Sequence, residues 1–279
     1  MTETDDVVAQ IFQENHRLRA ELDRLSTIES SRWWKLHPRL NVRRARAALR
    51  KHRRSVTPDA PMARMPGKRR SDRDDLRSRF RAEVVERGTF SHDWFTGKIE
   101  SWEPMMAALE GRDARILEIG SYEGLSACYL LWRLPNAHVT CVDTFVGSVE
   151  NIVGRDLPGA GLESAFDTNV ALVDASRVRK LVGDSRHILV DLNTEGASFD
   201  FVYVDGSHQA LDVLVDAALS WSMVALDGFL VFDDYRWAAF GEDALLRPGV
   251  AIDCFLTLID GKYELVFRDS QLALNKIGT

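Results

Sequence analysis

The sequence predicts an α/β chain: a doubly wound sheet of five parallel strands that ends in an antiparallel hairpin, preceded by a helical, basic extension. Three observations predict it. From Arg115 onward, short apolar runs alternate with helix-compatible runs. Two of the apolar runs, Ile116–Ile119 and Phe199–Asp205, are nearly continuous, as a parallel strand covered on both faces should be. Near the C-terminus, Tyr263–Phe267 and Leu272–Lys276 are joined by the short polar turn Arg268–Gln271. Strands that close together form a hairpin, which is antiparallel.

Charge separates the extension from the body. The net charge is −6, yet Arg32–Arg81 holds 18 of the 36 Lys and Arg and only 4 of the 42 Asp and Glu. A basic block on an acidic body suggests an anionic partner for the block alone. Cys128, Cys141 and Cys254 lie in apolar stretches without metal-ligand spacing and read as reduced core thiols of a cytoplasmic protein. No run of 18 apolar residues would span a bilayer, and the acidic N-terminus is unlike a secretory signal.

In chain order, Val8, Ile11, Leu18, Leu22 and Leu25 fall on a 3–4 spacing that predicts an amphipathic helix with a short coiled-coil seam. Such a seam would make a homo-oligomer; a solitary docked helix is the alternative. Trp33 and Trp34 follow between Arg32 and Lys35, and a run of arginines extends to Arg54. Tryptophan at the headgroup boundary beside cations suits an anionic membrane surface, hence a peripheral placement at the inner membrane. No nucleic-acid reader motif accompanies the charge, so no nucleic acid is expected. Residues 1–54 form this extension. Residues 55–71, with Pro58, Pro61, Pro66 and Gly67, read as a linker, and 72–279 as the folded domain. Asp72–Leu109 should form two helices interrupted at Thr96–Lys98, with Trp94, Phe95 and Trp102 as apolar anchors.

The domain is organised around Ala114–Gly124, a strand, a glycine turn and the start of helix Leu125–Leu134. That order sets backbone N–H groups and a helix N-terminus against a ligand. The following strands are expected at His138–Asp143, Val178–Val182, Phe199–Asp205 and Phe229–Asp233. Asp143 closes the second strand, 23 residues after Gly120, where a carboxylate can accept from both hydroxyls of a ribose. The fourth strand ends in Asp205-Gly206-Ser207-His208 and the fifth in Asp233-Asp234-Tyr235. Neighbouring parallel strands open their C-terminal ends into one crevice, so Asp205, Asp233 and Asp234 can converge. Three close carboxylates repel unless protonated or neutralised, and oxygen-only ligands suit Mg²⁺ or Mn²⁺. The alternative is that Asp205 alone faces the crevice while Asp233 and Asp234 cap a turn. His208, three residues beyond Asp205, can take a proton near neutral pH if its segment coils toward the crevice; otherwise it is a surface histidine. Asp212 and Asp216 read as a solvated helix face.

From roughly Trp94 to the C-terminus, these residues resemble the class I S-adenosylmethionine-dependent methyltransferases, which share the Rossmann-like plan and the final hairpin. The family's first motif lies at Glu118, Gly120, Ser121, Tyr122, Glu123 and Gly124, with Tyr122 where a third glycine is usual. The resemblance implies that these residues, with Asp143, Asp184 and Asp205, bind S-adenosylmethionine, Asp184 near the adenine. The pattern DGSH…FDDY is similar to that of metal-dependent sugar O-methyltransferases of macrolide and surface-glycan pathways. Catechol-type enzymes are also similar, with an Asp…Asp-Asn trio where this chain has Asp234. The resemblance thus implies Mg-dependent methyl transfer to a hydroxyl of a small molecule or glycan, with His208 and Asp205 catalytic and Phe145–Gly161 as a lid. A metal-independent methyltransferase and a non-catalytic cofactor-binding scaffold are the alternatives.

Overall fold

The computed structural model describes residues 70–147, 161–238 and 244–278. The coiled-coil seam, the tryptophan-arginine segment, the linker up to residue 69 and most of the expected lid lie outside the described residues, while residues 70 and 71, expected in the linker, begin the first helix.

Helix α1 (Arg70–Glu83) leads through a 3₁₀ turn at Val85–Arg87 and an irregular stretch to a second such turn, Thr96–Lys98, and helix α2 (Ile99–Leu109). The break between the two helices is therefore longer than the interruption expected at Thr96–Lys98. That turn is instead the entry to α2. The Asp93 side chain fixes it, accepting from the Thr96 backbone N–H at 2.9 Å.

The alternating units follow in order. Strand β1 spans Arg115–Ile119, helix α3 Leu125–Arg133 and strand β2 His138–Asp143. Helix α4 spans Leu162–Ala171, β3 Val178–Val182, α5 Ser185–Thr194 and β4 Phe199–Val204. Helix α6 is Ala210–Met223, β5 Val224–Phe232, α7 Pro248–Leu258, β6 Tyr263–Arg268 and β7 Leu272–Lys276. The sheet order is β3-β2-β1-β4-β5-β7-β6. The first five strands are parallel, and β7 runs antiparallel to both β5 and β6. The expected plan of five parallel strands and a terminal hairpin is the observed one. Strand β5 starts five residues earlier than its apolar run suggests, because α6 passes into it directly at Val224.

Side-chain parity builds two cores. Ile116, Cys141, Phe201, Tyr203 and Val231 face α1 to α4, where Phe80, Trp102, Tyr129 and Phe166 are fully buried. Leu117, Ile119, Val204, Phe232 and Leu272 face the opposite way, onto Leu189, Val213, Ile252 and Phe255 of α5 to α7. Successive strand residues point to opposite faces, so near-continuous apolar strands are what a sheet covered on both sides requires. Parity also decides the site. Asp205 follows Tyr203 by two, and Asp233 follows Val231 by two, which places both carboxylates on the α2 side.

Two expectations about burial are corrected here. Trp94 is no anchor: it is 54% exposed, whereas Phe95 and Trp102 are buried. Cys254 is exposed, unlike Cys128 and Cys141, because it sits on the outer side of α7. Among the described residues no helix is long and apolar enough to cross a membrane.

Candidate active site

The strand order reverses between β1 and β4, so their C-terminal ends splay a crevice. Gly120 makes this junction possible. Its φ is +85°, and a Cβ there would lie 2.1 Å from the Asp205 carbonyl oxygen and 2.6 Å from Gly206 Cα. Only a residue without a side chain lets the two strand ends meet, tied by Asp205 N–H donating to Ile119 O at 2.8 Å. Tyr122 stands where the motif usually has glycine and adopts φ +48°. That left-handed backbone costs about 1–2 kcal/mol in a non-glycine residue. It is offset where the Tyr122 N–H donates to Asp143 Oδ2 at 2.7 Å. Gly124, φ +81°, caps α3; a Cβ there would press on the Phe166 ring at 2.9 Å. Gly124 therefore serves helix packing, away from the crevice.

Glu118 does not reach the crevice either. It is fully buried beneath the turn, accepting from Ser126 Oγ at 2.5 Å and from Cys141 Sγ at 3.7 Å. Burial pushes its carboxyl up to about 7 against those hydrogen bonds. Ser121 is buried beside it, and Glu123 receives the Ser91 N–H at 2.6 Å. Of the motif, Gly120, Ser121, Tyr122 and Glu123 line the crevice.

Asp143 ends β2 at the rim. Its two oxygens accept from the backbone N–H groups of Tyr122 and Phe145, each at 2.7 Å. The carboxylate is thereby fixed in orientation. Asp184 also lines the cleft, but its carboxylate is committed: it caps α5 through Arg186 N–H at 2.9 Å and pairs with the Arg186 guanidinium. Those hydrogen bonds hold it down at about 2. An Asp184 so engaged is poorly placed to take a further donor at those oxygens. Asp216 is not solvated, contrary to the expectation of an exposed helix face. It is 2% exposed, accepts from Ser185 Oγ at 2.8 Å, and burial raises its carboxyl to about 6. It lies on the inner side of α6, facing α5, whereas Asp212 is half-buried and accepts from Ser207 Oγ at 3.0 Å.

The strand ends of β4 and β5 bring Asp205, Asp233 and Asp234 together, with one oxygen from each within 4.8 Å of the others. The Tyr203 hydroxyl bridges Asp205 Oδ2, 2.7 Å away, and Asp233, sharing its one proton between them. Lys98 Nζ pairs with Asp233. Gln271 Nε2 donates to Asp233 at 3.1 Å, while its Oε1 accepts from Trp102 Nε1 at 2.9 Å. Burial and the neighbouring Asp233 charge hold the Asp205 carboxyl well above the usual range. Burial opposes the Lys98 charge, but Asp205 and Asp233 outweigh it and keep the ammonium pKa above its ordinary value. Asp234 takes φ +54° and turns its side chain to His208, whose Nε2 lies 2.8 Å from Asp234 Oδ2. The His208 ring stacks on Trp237 at 4.3 Å and 12°. Both expected groupings, the carboxylate trio and the adjacent histidine, therefore line one cleft open to solvent.

Sequence reasoning missed Lys98, Tyr203, Gln271 and Trp237. Tyr203 was within reach of it, being two residues from Asp205 on the same face. Lys98 and Gln271 carry no local signal, since they arrive from 107 residues before Asp205 and 38 residues after Asp233.

Residues 117–235 match the family model described as a methyltransferase domain. An uncharacterised protein of Acanthamoeba polyphaga mimivirus is 28% identical over 144 residues, which cover 49% of this chain and 59% of that protein. The fold is similar to that of MycE, a methyltransferase from the mycinamycin biosynthetic pathway, solved with Mg, SAH and mycinamycin VI. The TM-score is 0.50 at 18% identity, over 76% of this chain and 55% of MycE. A structure described as an O-methyltransferase from Klebsiella pneumoniae aligns with TM-score 0.51 at 15% identity, over 84% of this chain and 97% of its own. The chain thus spans little more than half the length of the mimivirus protein and of MycE.

Proposed function

From the match of residues 117–235 to a methyltransferase-domain model, we propose that the chain is a class I S-adenosylmethionine-dependent methyltransferase that methylates a hydroxyl oxygen of a sugar or glycan-type acceptor, with a divalent cation held by Asp205, Asp233 and Asp234. The observation that carries this reading is the convergence of those three carboxylates beside His208 at the ends of β4 and β5.

The residues present fit both groups. For the cofactor, the turn at Gly120–Tyr122 offers close backbone approach, and Asp143 offers an oriented carboxylate for the ribose hydroxyls. For the cation, the trio supplies hard oxygen donors of the kind Mg²⁺ takes, one from each carboxylate within 4.8 Å of the others. When bound, the sulfonium cofactor supplies the methyl group and the cation lowers the pKa of a chelated hydroxyl.

The chain's own residues do the rest. His208 accepts the hydroxyl proton as the oxygen–methyl bond forms and the sulfur–methyl bond breaks. Asp234 orients the imidazole through Nε2, and Trp237 fixes the ring plane by stacking. Tyr203 and Gln271 hold Asp205 and Asp233 from the buried side. Holding the reactants in line removes orientational entropy from the barrier. Trp94, Tyr122 and His92 form an aromatic rim, with His92 stacked on Trp94 at 4.6 Å, suited to the apolar face of an acceptor ring. Residues 32–54, basic and bearing two tryptophans, would dock at an anionic membrane. Loss of sedimentation with anionic vesicles on deleting residues 1–54 would support that placement; unchanged sedimentation would exclude it.

A second reading, metal-independent transfer with His208 as the sole base, is favoured by one observation: Lys98 already pairs with Asp233. A methyl-transfer assay over a panel of sugar acceptors, with Mg²⁺ and with EDTA, separates the two. Transfer lost in EDTA and restored by Mg²⁺ supports the cation. Full transfer in EDTA supports the second reading, and no transfer to any sugar overturns the acceptor class.

A further inference from the structure

The lysine at the trio is unusual in its bonding. Asp233 Oδ2 lies within reach of three polar groups: the Lys98 ammonium, the Tyr203 hydroxyl, and Gln271 Nε2 at 3.1 Å. Asp233 Oδ1 accepts the Asp234 backbone N–H at 2.7 Å. A carboxylate oxygen offers about two lone-pair positions, so Lys98 and Gln271 fill Oδ2 before any cation is considered. One donor must leave for Oδ2 to bind a metal ion.

Two of the three are fixed. Tyr203 is fully buried, and its ring packs against Trp102 at 4.8 Å. Gln271 is 2% exposed and is tied to Trp102 Nε1. Lys98 differs. Its side chain is 22% exposed, it sits on a flexible four-carbon stem, and it comes from the Thr96–Lys98 turn rather than from the sheet. It also lines the cleft. Charge completes the case. Three carboxylates with one ammonium leave two negative charges when all are ionised, which a single divalent cation would neutralise.

We propose that Lys98 is a built-in counter-cation of the carboxylate trio, which competes with a divalent cation for Asp233, leaving Oδ2 when the cation binds there, and so sets the site's metal affinity. This rests on the metal-dependent reading above. A merely structural ion pair, tethering the Thr96–Lys98 turn to the end of β5, would have no such effect on metal binding.

The test is Mn²⁺ binding to the full chain, measured from the free-ion signal in electron paramagnetic resonance. It compares the wild type with Lys98→Met, Lys98→Arg and, as a control, Asp233→Asn. Removing a unit positive charge beside a dication should tighten binding by about tenfold or more in Lys98→Met. Lys98→Arg, which keeps the charge, should stay near the wild type, and Asp233→Asn should lose binding. Lys98→Gln repeats the comparison if Lys98→Met does not fold by thermal unfolding in EDTA. Wild-type binding with equal or weaker binding in the neutral variants overturns the role of Lys98 and leaves the metal reading standing. No binding in any variant overturns both. Binding in the neutral variants alone supports the role of Lys98 and rejects a metal requirement in the wild type.

Discussion

Replacing Gly120 by alanine should damage both the fold and the cofactor site, through a clash that the structure locates. The added Cβ would sit 2.1 Å from the Asp205 carbonyl oxygen, 2.5 Å from its carbon and 2.6 Å from Gly206 Cα. All three are backbone atoms, so no side chain can turn aside. Relief requires the ends of β1 and β4 to separate by roughly 1 Å, a shift typical of overpacked sites that costs about 1–3 kcal/mol. The Asp205 N–H to Ile119 O bond, 2.8 Å long, would be lost for about 1 kcal/mol more. The left-handed φ of +85° adds about 1–2 kcal/mol for alanine. Together these come to about 3–6 kcal/mol, a large share of the roughly 5–15 kcal/mol that holds a domain folded. Gly261→Ala is the matched control. Its φ is +77°, but nothing lies within 4 Å of its Cβ, so only the backbone cost of about 1–2 kcal/mol applies. Denaturant unfolding and S-adenosylhomocysteine binding of the two variants measure the difference. Equal destabilisation, with cofactor binding intact in Gly120→Ala, would refute the reasoning.

Three further outcomes follow from the same geometry. Glu118, whose carboxyl is raised from 4.5 to about 7, binds more protons folded than unfolded between those values. Stability should therefore be greatest below about pH 4.5 in this respect and fall by about 3 kcal/mol as pH rises through 7. In Glu118→Gln the drop in melting temperature from pH 5 to pH 8 should shrink; an unchanged drop contradicts the burial argument. His208→Ala should slow methyl transfer by about 10²–10⁴ while S-adenosylhomocysteine affinity stays constant, and a wild-type turnover rate would remove His208 from the chemistry. Tyr203→Phe removes the hydroxyl that bridges Asp205 and Asp233, leaves one buried carboxylate oxygen without its donor, and should cost about 1–3 kcal/mol in denaturant unfolding. A neutral result would mean that solvent or Lys98 replaces the hydroxyl.

Much of the plan was legible because its signals are local. Apolar runs such as Ile116–Ile119 and the closely spaced β6 and β7 define strand type and direction without tertiary information. Asp143, Asp205, Asp233 and Asp234 were visible because strand ends in such a sheet share one edge. What escaped depends on contacts across long sequence separations. Lys98 and Gln271 reach Asp233 from outside the parallel strands, and nothing in their neighbourhood marks them. Trp94 belongs by composition in a core, yet its segment runs over the cleft mouth, where it stacks on His92. Asp216 reads as a solvated helix residue until α5 packs against α6 and buries it beside Ser185. Glu118 and Gly124 fall within a recognisable motif, but their places are beneath the turn and against Phe166.

Under the proposed function, this cleft holds an adenosyl cofactor with its ribose on Asp143. Thermal unfolding of the full chain with S-adenosylmethionine, wild type against Asp143→Ala, tests it most directly. At about 100 times the dissociation constant the ligand adds roughly 2.7 kcal/mol, a visible rise in the wild-type midpoint. The wild-type midpoint should rise, and Asp143→Ala should lose that rise at the same ligand concentration. No rise in the wild type, or an equal rise in both proteins, would contradict it.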